Sequence, residues 1–401
     1  MDSNKKISSE APNSSLTLTS LIYNPTFRAV AFQTLTILLL GYFFYSIINN
    51  AFTNLEARGI STGFDFLDQE AGFGIGLTLI DYNETYSYGR TFVVGLLNTA
   101  LVSFLGIIFA TILGFIMGIA RLSSNWLISR FAAVYIEIFR NIPLLLQILF
   151  WYFAVLQALP SPRQSLSFAD TFFLNVRGFY MPGPVMEAGS GLTVASLIIG
   201  IIATICIARW AKNKQKLTGQ QTPVWAYALG LIIALPTVVF LLSGSPISLD
   251  YPELKGFNFR GGIDILPELA ALLLALSIYT AAFIAEIVRS GINAVNHGQS
   301  EAAMSLGLPK SKTLKLVIIP QAMRIIIPPL TSQYLNLTKN SSLAMAIGYP
   351  DLVSVFAGTT LNQTGQAIEI IAMTMGVYLT LSLLTSLLMN IYNKKMALVE
   401  R

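Results

Sequence analysis

Seven long, strongly apolar stretches of this chain carry no charged residue: 29–48, 91–120, 141–162, 188–208, 217–249, 269–285 and 370–393. A helix rises about 1.5 Å per residue and a bilayer's hydrocarbon core is ~30 Å thick, so each stretch can cross most or all of a membrane. Lipid offers no hydrogen-bond partners, so a chain crossing it repeatedly satisfies its backbone within helices. An eighth span is expected over 321–345, although Arg324 and Lys339 bracket its apolar part and Pro328-Pro329 interrupts it. The expectation is an all-α polytopic membrane protein of about eight transmembrane helices. Composition agrees: 11% of the 401 residues are charged, against roughly 25% in soluble domains.

Charge placement sets an expected topology. With the N-terminus in the cytoplasm and eight alternating spans, 18 of the 25 basic residues fall in inside segments and 6 in outside ones. This bias is the positive-inside pattern and places both termini in the cytoplasm. Residues 1–27 read as a polar, disordered cytoplasmic tail, and 28–48 as an uncleaved anchor followed by an outside loop to residue 90.

Several chemistries are missing. The one histidine, His297, lies in a polar segment, so haem, zinc and Ser–His protease sites cannot be assembled. No catalytic residue, metal or cofactor is expected. Cys206 has no partner for a disulfide and reads as a small buried hydrophobe. Without a Gly-Lys dipeptide there is no Walker A loop, so any ATP would be bound by another chain. The net charge of +5 comes with no basic run longer than two, which argues against nucleic acid.

The segment 297–320 is the most informative. Ser300 to Leu306 reads as a short helix with Glu301 favourably near its N-terminus. Gly307 can take a left-handed conformation and Pro309 prevents continuation. A second helix follows, with Ser311 as candidate N-cap and Pro320 as its close. Ala302 and Ala303 leave a smooth surface for close approach by another protein.

Glu301-Ala302-Ala303, three residues, Gly307, nine residues, then Val317-Ile318-Ile319-Pro320 resembles the EAA loop of binding-protein-dependent ABC transporter permeases. Val317 and Ile319 replace that motif's Ile and Leu. Other segments resemble the polar amino-acid branch of the family: Gly95 to Ala100, Glu137-Ile138-Phe139-Arg140-Asn141-Ile142-Pro143 through Gln147, the helix with Tyr279, Glu286 and Arg289, and Lys339-Asn340-Ser341-Ser342-Leu343.

The resemblance implies a five-helix type I importer core, split between 91–160 and 265–395, with the coupling loop at 297–320. Residues 161–264 would insert two spans and a loop, and 28–90 would add a first helix and periplasmic loop. This enlargement resembles permeases of general L-amino-acid and glutamate/glutamine/aspartate/asparagine systems. The implied role is import of L-amino acids across the inner membrane. The implied partners are a homodimeric ATPase, a second and different permease chain, and a periplasmic amino-acid-binding protein. Glu301, Ala302, Ala303, Gly307 and Pro320 would couple to the ATPase. Lys339, Asn340, Ser341 and Ser342 offer donors to a substrate carboxylate in the pathway. Glu137 with Arg140, and Glu286 with Arg289, read as local ion pairs or gate supports.

Overall fold

The computed structural model describes residues 25–57, 59 and 62–396. The expected tail over 1–27 lies outside the described residues up to position 24. Helix α1, Pro25–Ala57, begins directly afterwards. Its membrane-length part buries nothing against the rest of the chain.

The centre is α2, Tyr88–Arg121, against α8, Pro267–Asn293. In lipid, helices associate mainly through close packing, which small residues permit. A Cβ on Gly114 would lie 2.6 Å from the Ile284 Cβ, and one on Gly118 would lie 2.7 Å from the Ala285 carbonyl oxygen. Helix α8 is the most enclosed span, with 61% of its apolar window buried.

Helix α3, Trp126–Asn141, is N-capped by the Asn125 side chain, which accepts from the amides of Leu127 (3.0 Å) and Ile128 (3.3 Å). One span was expected over 141–162. Instead the chain turns by 106° between α3 and α4, Leu144–Leu149, which continues as a π-helical stretch, Phe150–Leu156. The cause is Pro143, which forces the preceding Ile142 out of the helical region to φ −94°, ψ 127°. Gln147 braces the corner by donating to the carbonyls of Phe139 and Ile142, both at 3.0 Å. Among the described residues, seven helices are long and apolar enough to cross a membrane, or eight with the bent pair as one span.

Residues 161–264 hold short strands that the helical reading did not anticipate. Strands β1 (Leu166–Phe168), β2 (Phe172–Asn175) and β3 (Gly178–Met181) join β8 (Ile263–Ile265) in one antiparallel sheet, in the order β1-β2-β3-β8. Strand β4 (Gly183–Met186) pairs β5 (Ile247–Asp250), and β6 (Glu253–Lys255) pairs β7 (Asn258–Arg260). From the β4–β5 ribbon rises a helical hairpin: α5, Ser190–Thr218, then α6, Val224–Leu229, which runs through a π stretch into α7, Leu235–Leu242. Gly200 lets the two arms touch, since a Cβ there would sit 2.0 Å from the Leu231 carbonyl oxygen. Cys206, expected to be buried, is exposed on α5. The hairpin packs on itself, and a side chain facing lipid has the same apolar requirement as one in a core.

Helix α9 spans His297–Ser305. After a turn, α10 (Lys310–Thr313), a π stretch (Leu314–Ile318), α11 (Ile319–Asn340) and a 3₁₀ stretch (Ser341–Ile347) make one long span. Pro309 rather than Ser311 occupies the N-cap of α10, and Pro320 does not end a helix. Pro320 sits where the π stretch returns to α geometry, a place where the hydrogen-bond register is already interrupted and a missing N–H costs little. A fourth π stretch, Val353–Thr360, leads through α12, Leu361–Thr364, to α13, Ala367–Met396.

Candidate functional site

Helix α9 stands out from the bundle. The Asn296 side chain caps it by accepting from Gly298 N at 2.8 Å. Gly307 ends it at φ +79°, donating to Met304 O (2.9 Å), while Leu308 N reaches back to Ala303 O (3.1 Å). Only a residue without a Cβ takes this left-handed turn freely. Of the short helix only Ala303 is buried, at 4% exposure. Glu301, Ala302, Met304 and Leu306 all face outward. The Glu301 carboxylate pairs with His297, whose Nδ1 lies 3.1 Å from Oε1. Gln321 at the start of α11 donates to Gln299 (3.2 Å) and fixes how α9 hangs from the span. The result is a projecting helix with an exposed carboxylate and an apolar tip.

A cleft runs between α8 and α11. Near α9 it is a cavity of about 400 Å³ lined by Arg140, Phe283, Glu286, Ser290, Pro329 and Gln333. A cavity of about 280 Å³ continues it, lined by Tyr279, Thr280, Asn336 and Asn340 together with the shared Phe283 and Gln333. Glu286 and Arg289 form the expected ion pair, with Nε to Oε2 at 3.0 Å. Arg140 does not pair with Glu137; its guanidinium lies 5.3 Å from the Phe283 ring centre. Gln333, Asn336 and Asn340 recur every three to four residues, so they form one polar stripe on a membrane-length helix. Asn336 is exposed and the other two are half-buried. Exposed amides at membrane depth are unfavourable against lipid, so such a stripe faces water or another chain.

The four residues 339–342 separate. Asn340 lines the cleft. Lys339 and Ser342 line a different cavity of about 550 Å³, beside Thr374 and Tyr378 of α13. Ser341 is fully buried, its hydroxyl donating to Thr338 O at 2.7 Å. Neighbouring helical residues point about 100° apart, and the tightening to 3₁₀ geometry at Ser341 turns them further. Phe283, Gln333 and Asn336 escaped the sequence reading, which placed Tyr279 on the family-like helix without giving it a site role. The 3–4 spacing of amides at 333, 336 and 340 was the available signal.

Beyond Tyr279 the cleft stops. Leu272, Ala275 and Leu276 of α8 are fully buried in one cluster with Ile148, Ala344, Ile347 and Tyr349. Just past this seal, Asp351 is fully buried; it accepts from Ser354 N (2.8 Å) and from the Tyr378 hydroxyl (3.3 Å). Burial pushes its carboxyl up to about 7. Among the described residues no cluster of three or more His, Cys, Asp or Glu could hold a metal ion.

A membrane bundle with a projecting Glu-Ala-Ala helix at the mouth of a polar cleft defines a transport subunit, and comparison with known proteins agrees. Residues 110–398 match the family of binding-protein-dependent transport system inner membrane components, and the chain belongs to that family. It is 58% identical over 378 residues, covering 94% of this chain and 96% of the other, to the putative amino-acid ABC transporter permease protein YhdX of Escherichia coli. It is 53% identical to the general L-amino acid transport system permease protein AapQ of Rhizobium johnstonii, over 95% of each chain. Identity to the glutamate/glutamine/aspartate/asparagine transport system permease protein BztB of Rhodobacter capsulatus is 43%, over 98% of this chain and all of that one. A solved amino acid ABC transporter structure with histidines superimposes with a TM-score of 0.45 at 22% identity, covering 77% of this chain and 95% of that one.

Proposed function

We propose that this chain is one half of the membrane pathway of an ATP-driven L-amino-acid importer and is not itself an enzyme. The observation that carries this is the polar stripe on α11 together with the projecting α9, which is joined by one short turn to the span that carries the stripe. A second permease chain, different from this one, covers the stripe and completes a pore. A separate homodimeric ATPase receives α9, with Glu301 meeting a cationic groove and Gly307 holding the helix at its angle. A binding protein delivers cargo to the opposite face. The charge bias of the connecting segments supports α9 and both chain ends on the cytoplasmic side. The amino-acid cargo follows from the names of relatives aligned over nearly the whole chain, and the amides at 333, 336 and 340 with Tyr279 suit a zwitterion. Asn340 is the pathway residue among 339–342, and Lys339, Ser341 and Ser342 support it from behind. Residues 91–160 and 265–395 build the pathway, and 161–264 is an added module.

The test is affinity capture of the chain from native membranes, followed by reconstitution with whatever accompanies it. A P-loop ATPase and a second permease should copurify and drive ATP-dependent amino-acid uptake. Glu301→Lys should leave membrane insertion intact and cut uptake and transport-linked ATPase activity about tenfold or more, the loss expected when a desolvated charge pair becomes a repulsion. Undiminished coupling in this variant would refute the docking assignment.

A further inference from the structure

The face of α8 that carries Tyr279 and Phe283 does not end at the apolar seal. Glu268, at the start of the helix, lies about three turns before Tyr279 and therefore on the same side. It lines a separate cavity of about 410 Å³, roofed by the loop Phe73–Gly76 and walled by Pro350, Ser354 and Thr359. The roof is held in place. Tyr82 donates to Phe73 O at 2.6 Å, and the buried Asn98 donates to Leu77 O (2.8 Å) and Pro350 O (2.9 Å). Glu268 is half-buried, and its Oε1 accepts from the Tyr152 hydroxyl at 2.8 Å. Among the described residues it is the only charged side chain on the cavity wall. A chamber with hydroxyls, backbone and one carboxylate favours a cation and disfavours an anion.

We propose that this chamber is a receiving site on the outer side of the seal, where Glu268 holds the α-ammonium group of an arriving amino acid. The assignment of cargo rests on the importer reading above; the chamber's charge preference does not. Recognition of the ammonium suits a permease of broad range, because that group is common to all cargo whatever the side chain. It also orients the molecule, ammonium held outside and carboxylate left for the amide stripe beyond the seal.

The experiment separates the two readings. In a Cys206→Ser background of the full complex, Thr359→Cys places a thiol on the chamber wall. Its labelling by trimethylammonium-ethyl methanethiosulfonate should exceed that by the anionic sulfonatoethyl reagent by roughly tenfold more than for free cysteine, as expected for a partly shielded unit charge nearby. Glu268→Gln should abolish that excess. In uptake assays Glu268→Gln should raise the KM for the loaded binding protein several-fold with kcat little changed, and Glu268→Asp should recover part of the loss. A merely structural carboxylate would lower assembly or kcat and leave the reagent preference intact. Equal labelling by both reagents, or a preference unmoved by Glu268→Gln, overturns the proposal. Cation-selective labelling in a complex that moves no amino acid overturns the cargo assignment alone.

Discussion

Asp351 combines complete burial with the absence of a cation: none of the ion pairs among the described residues includes it. Its folded value near 7 stands above the ordinary carboxylate range, so the native loop holds a proton that the unfolded chain would release. Its contribution to stability is therefore full below about pH 4 and is lost as pH rises through about 7. Hydrogen exchange of the 348–356 backbone should show more opening at pH 8 than at pH 6 after correction for intrinsic rates. Asp351→Asn keeps an oxygen for the Ser354 amide and should flatten that dependence. If the variant and the parent follow the same pH curve, the buried charge is not what weakens the loop. Helix α9 was legible at this scale, because Glu301, Gly307 and Pro309 act through local rules of spacing and backbone conformation. The cleft was not, because Phe283 and Gln333 come from different helices and meet only after folding.

At the scale of elements, the α2–α8 seam shows how lipid changes the packing rules. Gly114 and Gly118 contribute space and not surface, and each missing Cβ is filled by α8. Gly114→Ala or Gly118→Ala should destabilise the protein by about 1–3 kcal/mol, the usual cost of overpacking. Thermal unfolding in detergent would register it, with Gly41→Ala, which has nothing within 4 Å, as the neutral comparison. Since alanine favours a helix over glycine, Gly41→Ala should be neutral or slightly stabilising, and equal losses in all three would mean that the close seam is not what is being measured. The membrane-length helices were readable because each announces itself by composition alone. The 106° corner at Pro143 was not, since hydropathy averages across a break that only one residue causes. The strands of 166–186 and 247–265 are three to four residues long, too short for alternation to stand out. Pro320 misled because a proline usually ends a helix, and the π stretch before it removed the reason to end.

For the whole molecule, the amide stripe on α11 is an unfinished surface. In a Cys206→Ser background, Asn336→Cys carrying a benzophenone maleimide should photocrosslink to a second permease chain in native membranes, as a half-pathway requires. Crosslinking to nothing, with the thiol still reactive toward small reagents, would make the cleft a complete conduit within one chain. The seal formed by Leu272, Leu276, Ile347 and their neighbours has an electrical meaning as well. Water in the chambers on either side conducts ions, so an energised membrane drops its voltage mainly across the dry layer between Glu268 and Tyr279, roughly 16 Å of helix. A unit charge passing through 100 mV exchanges ~2.3 kcal/mol with the field, whereas a zwitterion exchanges none. Import of a neutral amino acid is then electrically silent, and import of an acidic one works against an interior-negative potential across that single layer.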